Sequence, residues 1–169
     1  MRNDLLLLHG ALGDSAQLAP LANALAARAR VHSFDFHGHG RASAEERPYR
    51  IETFAEDVIA FLERERLEKV DVFGYSMGGY VALYLAAQGF DRIARVATLG
   101  TKFWWDGPTA ATEASRLDPA TIRAKVPKFA DTLERRHRGA GGWEGVLAGT
   151  ADCLRALGDR PLLDDAALV

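Results

Sequence analysis

The segment Gly74-Tyr75-Ser76-Met77-Gly78 sets one hydroxyl between two glycines in the spacing G-x-S-x-G. A serine hydroxyl is a weak nucleophile at neutral pH. It becomes an effective one when the backbone holds it clear of its neighbours and donors face the negative charge that its attack creates. A short apolar run, residues 70–73, precedes the motif, and a longer helical stretch, 77–88, follows it, with Gly89 in place to end that helix. The serine therefore falls on a tight strand-to-helix turn. Such a turn strains the backbone at Ser76 and requires glycine at 74 and 78, where a side chain would strike the turn or a neighbouring strand. The Met77 N–H then stands at a helix N-terminus, where unpaired donors and the helix dipole favour an oxyanion. A second donor of the same kind is the Ala11 N–H in Leu8-His9-Gly10-Ala11-Leu12-Gly13-Asp14. The chemistry this spacing permits is nucleophilic acyl transfer. The bland readings are a serine in an ordinary β–α turn and a glycine-rich connector with no role. A phosphate loop is disfavoured, because no Gly-Lys-Ser/Thr follows.

Other reactive residue types are sparse. Asp35-Phe36-His37-Gly38-His39-Gly40 holds two histidines inside a glycine turn, which is too few ligands for a metal site. The single Cys153 can form neither an intrachain disulfide nor a cysteine zinc site, so a disulfide-stapled secreted fold is excluded and a cytoplasmic location is expected. Neither a metal nor an organic cofactor is implied. Lys and Arg number 21 against 23 Asp and Glu, a net charge of -2, which asks for no nucleic acid and no anionic membrane as partner. The longest early apolar run, 5–8, is far short of the roughly 20 residues needed to span a bilayer.

The elements that must position Ser76 follow from periodicity. Residues 4–8, 31–36, 70–73 and 93–99 read as strands. Between the first two, Asp14 or Ser15 caps a helix with the stripe Leu18, Leu21, Ala22, Leu25 and Ala29. A stronger helix covers 51–66, with Ile51, Phe54, Ala55, Val58, Phe61 and Leu62 on one face. Strands alternating with helices predict right-handed crossovers and an α/β fold: a mainly parallel sheet with helices on both faces. From Thr101 onward only helices are expected, at 109–116, 119–125 (capped by Asp118), 127–138 and 143–157, the last ending at Gly158. The chain divides near residue 101 into a sheet core, 1–100, and a helical cap-like region, 101–169, packed on it.

The stretches LHGALGD, DFHGHGRAS and GYSMGG, in this order and spacing, resemble the α/β-hydrolase fold on its esterase-like side. The resemblance covers residues 4–100; the helical region is more weakly similar to the cap such proteins place over the site. It implies that Ser76 is the nucleophile, that Ala11 and Met77 supply the oxyanion hole, and that His9 and Asp35 hold turns. It also implies a spatial strand order of 2-1-3-4 and a serine hydrolase acting on a small ester or related acyl substrate. The family order is serine, then acid, then histidine. Only His137 follows Ser76, inside the arginine-rich stretch 133–138, where a solvated helix-end histidine is the expected state. It is the weak candidate base, and Asp106, after the fourth strand, is the candidate acid; its plain reading is a loop Asp before Gly107-Pro108. The family's C-terminal strands, which carry the acid and base loops, are not expected in 1–169. Strand 93–99 is then a sheet edge, which self-association or a further segment would cover. The alternative is a catalytically silent hydrolase-like fragment or small-molecule binding module, with Phe103, Trp104, Trp105 and Trp143 lining a pocket or packing in a cap core. A nucleotide-binding α/β domain is a third reading, weakened by the lack of G-x-G-x-x-G after the first strand.

Overall fold

A computed structural model describes residues 2–42, 47–139 and 141–164. Four strands form one parallel sheet in the order β2-β1-β3-β4: β1 is Asn3–Leu8, β2 Ala29–Ser33, β3 Val70–Tyr75 and β4 Ile93–Leu99. This is the expected order and the expected α/β class. The unbroken leucines of β1 suit a strand covered on both faces. Leu6 and Leu8 face the core with Val70 and Val72 of β3, and Leu7 on the opposite face is 1 % exposed. Over that core lie α2, Ile51–Arg64, and α3, Met77–Ala87. Ile51, Phe54, Ala55, Val58, Phe61 and Leu62 form the buried stripe of α2, as their spacing demands.

Leu8 pairs with Gly74, Gly74 with Thr98 and Tyr75 with Leu99. The carboxyl ends of β1, β3 and β4 are thus level, and the loops that leave them meet at one end of the sheet. That is where open parallel sheets hold their ligands.

Three elements depart from expectation. The second strand starts at Ala29 and ends at Ser33, because Phe34 and Phe36 leave the sheet for the aromatic core: Phe36 is fully buried, 5.2 Å from the Phe54 ring and 5.1 Å from Phe34. The first helical stripe divides into a 3₁₀ turn, Ser15–Leu18, and a short α1, Ala19–Leu25, because Pro20 opens a new helix and Ala29 belongs to β2. Asp14 caps the turn, accepting from the Gln17 N–H at 3.2 Å. Helix α2 stops at Arg64, since Arg66 adopts a left-handed φ of 54° and the Leu67 N–H closes onto the Leu62 carbonyl.

Beyond β4 come α4 (Gly107–Ser115), α5 (Pro119–Lys125), α6 (Pro127–Arg136) and α7 (Trp143–Asp159). Asp106 and Asp118 cap α4 and α5 through Oδ atoms that accept from Thr109 and Thr121. Helices α4 and α7 pack together and send Ala110, Cys153 and Leu157 into the sheet core, while Ile122, Ala130, Leu133, Trp143 and Leu147 build a second, smaller core. Gly158 lies inside α7 rather than at its end, because the Ala110 methyl and the Asp106 carbonyl approach too closely for a side chain there. Among the described residues no helix is long and apolar enough to cross a membrane.

Candidate functional site

Ser76 sits at the junction of β3 and α3 with φ 50° and ψ -114°, a conformation that costs a non-glycine residue free energy. Its surroundings leave it no alternative. The Ser76 N–H donates to the Leu99 carbonyl at 2.9 Å, and its own carbonyl accepts from Thr101 Oγ1 at 2.9 Å and from the Gly79 N–H at 3.1 Å. A Cβ on Gly74 would collide with the Gly79 backbone, and one on Gly78 would collide with the Leu8 and His9 carbonyls of the neighbouring strand. The two glycines of the motif are therefore close-approach positions. Among the described residues neither Ser76 Oγ nor the N–H groups of Ala11 and Met77 has a hydrogen-bond partner.

The loop that carries Ala11 is held from three sides. His9 Nε2 accepts from the Phe36 N–H at 3.1 Å and Nδ1 donates to the Gly10 carbonyl at 2.8 Å. Asp35 accepts from the Ser15 N–H at 2.6 Å and the Arg41 N–H at 2.9 Å, which ties the loop after β1 to the loop after β2. Burial raises the Asp35 carboxyl pKa, but these donors outweigh it and the net shift is downward. The third hold is His137. Sequence reasoning expects a solvated helix-end histidine; the side chain is instead fully buried, with Nδ1 accepting from the Gly40 N–H at 3.0 Å and Nε2 donating to the Leu12 carbonyl at 3.1 Å. Arg136 reaches the same carbonyl at 2.8 Å. Both ring nitrogens of His137 are thus committed to backbone groups, and neither is directed at Ser76. Its partners stand 97 and 125 residues away, beyond the reach of any local pattern.

His137 contacts the His39 ring at 5.8 Å, and His39 contacts His9 at 5.3 Å. Burial pushes all three below the ordinary histidine range, His39 to about 3, so the cluster is neutral. His37 pairs elsewhere, with Asp57 at 2.6 Å. Among the described residues no group of three His, Cys, Asp or Glu side chains is arranged to hold a metal ion.

Ser76 opens into a cavity of about 440 Å³. Ala11, Leu12, Ser76 and Met77 line it together, α2 contributes Ile51 and Phe54, α3 Tyr80, and the stretch from Gly100 to Leu117 and helix α7 supply the rest. The expected aromatic quartet separates. Trp105 lines the cavity and Trp143 packs in the smaller core, whereas Phe103 and Trp104 are 42 % and 72 % exposed. No histidine lines the cavity, and neither does Asp106, whose Oδ1 is occupied in capping α4 at 2.8 Å from the Thr109 N–H. The carboxylate that does line it is Glu113, which sequence reasoning missed. It accepts from Lys102 at 3.1 Å and Arg116 at 2.9 Å, and the Lys102 contact, followed by these charges, holds its pKa below the ordinary range. Only the packing of α4 over the sheet brings it there. In the sequence it is one more acid three residues before an arginine.

Fold and site together define the class. The family model for the alpha/beta hydrolase fold matches residues 4–137. The chain belongs to the α/β-hydrolase fold family. It is 29 % identical over 133 residues to 3-oxoadipate enol-lactonase 1 of Acinetobacter baylyi, a match covering 73 % of this chain and 48 % of that protein. Against 3-oxoadipate enol-lactonase 2 of the same organism it is 29 % identical over 153 residues, covering 79 % of this chain and 55 % of the relative. The chain thus spans about half the length of these two curated relatives. Among solved structures it is similar to NosK of Streptomyces actuosus, with TM-score 0.77 and 22 % identity, covering 98 % of this chain and 70 % of that one. The enol-lactonase of Burkholderia xenovorans superposes with TM-score 0.70 at 24 % identity, covering 92 % and 66 %. At these identities the likeness is one of fold.

Proposed function

We propose that this chain carries the nucleophile and oxyanion hole of a serine hydrolase that cleaves a small ester or lactone. The observation that carries the reading is the strained Ser76: its Oγ and the unpaired N–H groups of Ala11 and Met77 all border one largely apolar cavity. Strain held this firmly beside a cavity is a functional signature. The family supports hydrolysis, and the names of the enol-lactonases support a lactone or ester carbonyl as the target.

In the proposed reaction Ser76 Oγ attacks the carbonyl carbon and passes its proton to a general base. The carbonyl oxygen takes up the negative charge and is held by the N–H groups of Ala11 and Met77. Collapse breaks the bond to the alkoxide, which takes back the proton from the base (departing as an alcohol from an ester, staying tethered as a hydroxyl in an opened lactone), and an acyl-Ser76 ester remains. Water then attacks that ester and releases the carboxylic acid. No histidine nitrogen lines the cavity, so the base comes from outside the described residues, and turnover by this chain alone is slow.

The test is prolonged incubation with an alkyl fluorophosphonate, followed by intact mass and peptide mapping. One adduct at Ser76, absent in Ser76→Ala and undiminished in His137→Ala, supports the reading. Folded chain without an adduct even at alkaline pH, where solvent hydroxide can take up the Ser76 proton, would overturn it in favour of a silent binding module.

A further inference from the structure

Three charged side chains stand in the wall of the otherwise largely apolar cavity beside Ser76: Lys102, from the loop after β4, and Glu113 and Arg116 at the end of α4. Glu113 accepts from Lys102 Nζ at 3.1 Å through one carboxylate oxygen and from Arg116 Nη1 at 2.9 Å through the other. One carboxylate thus faces two cations, and the trio is net positive. The other titratable groups of the cavity add no charge: burial pushes the Cys153 thiol up to about 12 and raises the Tyr80 phenol as well. Asp106 lies within electrostatic reach of Lys102 but does not line the cavity, and its Oδ1 is spent on the α4 cap. Both cations keep donors free among the described residues. An ammonium has three N–H bonds and a guanidinium five, and each gives only one to Glu113. The Lys102 and Arg116 side chains are 43 % and 67 % exposed, so a solute can reach both. The Trp105 ring, 5.0 Å from the Lys102 ammonium, joins them to the apolar wall.

We propose that Lys102 and Arg116 form an anion subsite, and that the cavity selects an ester or lactone carrying a carboxylate away from its scissile carbonyl. The apolar wall of Ile51, Phe54, Leu154 and Leu157 takes the hydrocarbon of such a molecule, and the two cations take its charged end. Glu113 holds the cations together at the wall and competes with the ligand for them. That the molecule is cleaved rests on the hydrolase reading above; its binding does not.

Ligand-observed NMR titration of the intact chain with monomethyl adipate and its carboxamide counterpart, methyl adipamate, tests this. The two molecules differ only in the charge of the remote end. At low salt, where screening is weak, the carboxylate is expected to bind roughly three- to tenfold tighter, the range for two partly exposed ion pairs. With Arg116→Gln and Lys102→Gln combined, the ratio falls to about one. In Glu113→Gln it rises roughly twofold or more, because the competing carboxylate is gone. Equal affinities in the parent, a ratio that survives the double substitution, or one that does not rise in Glu113→Gln overturns the proposal. The two readings fail separately. An unreactive Ser76 with the binding preference intact sinks only the hydrolase, and a reactive Ser76 with no preference sinks only the anion subsite.

Discussion

Ser76 is a residue whose backbone is held against its own preference. Its φ of 50° is imposed by bonds to Leu99, Thr101 and Gly79 and by the close packing of Gly74 and Gly78. Glycine tolerates such a conformation where serine and alanine do not. Ser76→Gly is therefore expected to gain about 1 kcal/mol of stability by urea unfolding, whereas Ser76→Ala gains nothing from this source. Equal stabilities would show that the turn is relaxed. At this scale the sequence is a good guide to backbone geometry that depends on neighbours in the chain. Ser76 and Met77 belong to one turn, and Ala11 to a loop with its own glycines. It is a poor guide for His137 and Glu113, whose surroundings are assembled by packing between distant segments. The Asp106 side chain is absorbed in a helix cap, a local role its neighbours Gly107 and Pro108 already announce.

The elements that support the Ala11 loop meet at the neutral histidines His9, His39 and His137. Each has a folded-state pKa below its ordinary value, so the unfolded chain binds more protons as the medium is acidified. Their contribution to stability is complete above about pH 6.5 and declines as the pH falls towards about 3, the value reached by His39. His39 alone should remove about 2 kcal/mol between pH 7 and pH 5, read as a fall in urea midpoint. A flat profile over that range would contradict neutral burial. Helix α3 offers a second check. Gly78→Ala presses a methyl onto the Leu8 carbonyl and should cost about 3 kcal/mol or prevent folding. Strand β4 and helix α5 were legible to the residue, because alternation, Asp118 and Pro119 mark their ends locally. The ends of β2 and α1 were not, because the aromatic core draws Phe34 and Phe36 out of the strand and Pro20 restarts the helix.

Across the whole molecule, β4 pairs only with β3 among the described residues, and Leu99 at its end is 60 % exposed, while Phe103 and Trp104 in the segment that follows are exposed in part. We propose that this edge is covered by a second copy or by a further polypeptide segment. For the isolated chain, light scattering should show mass rising with concentration, and Leu99→Lys should reduce it. A monomer at all concentrations would argue against an adhesive edge. In the proposed reaction the carboxyl ends of β1 and β3 and the start of α3 act at one point, the oxyanion position between Ser76 Oγ and the N–H groups of Ala11 and Met77. A crystal structure of the phosphonate adduct on Ser76 examines that point most directly. The phosphonyl oxygen is expected about 2.7–3.1 Å from the nitrogens of both Ala11 and Met77. An adduct whose oxygen turns to solvent, with those amides bonded elsewhere, would contradict the assignment.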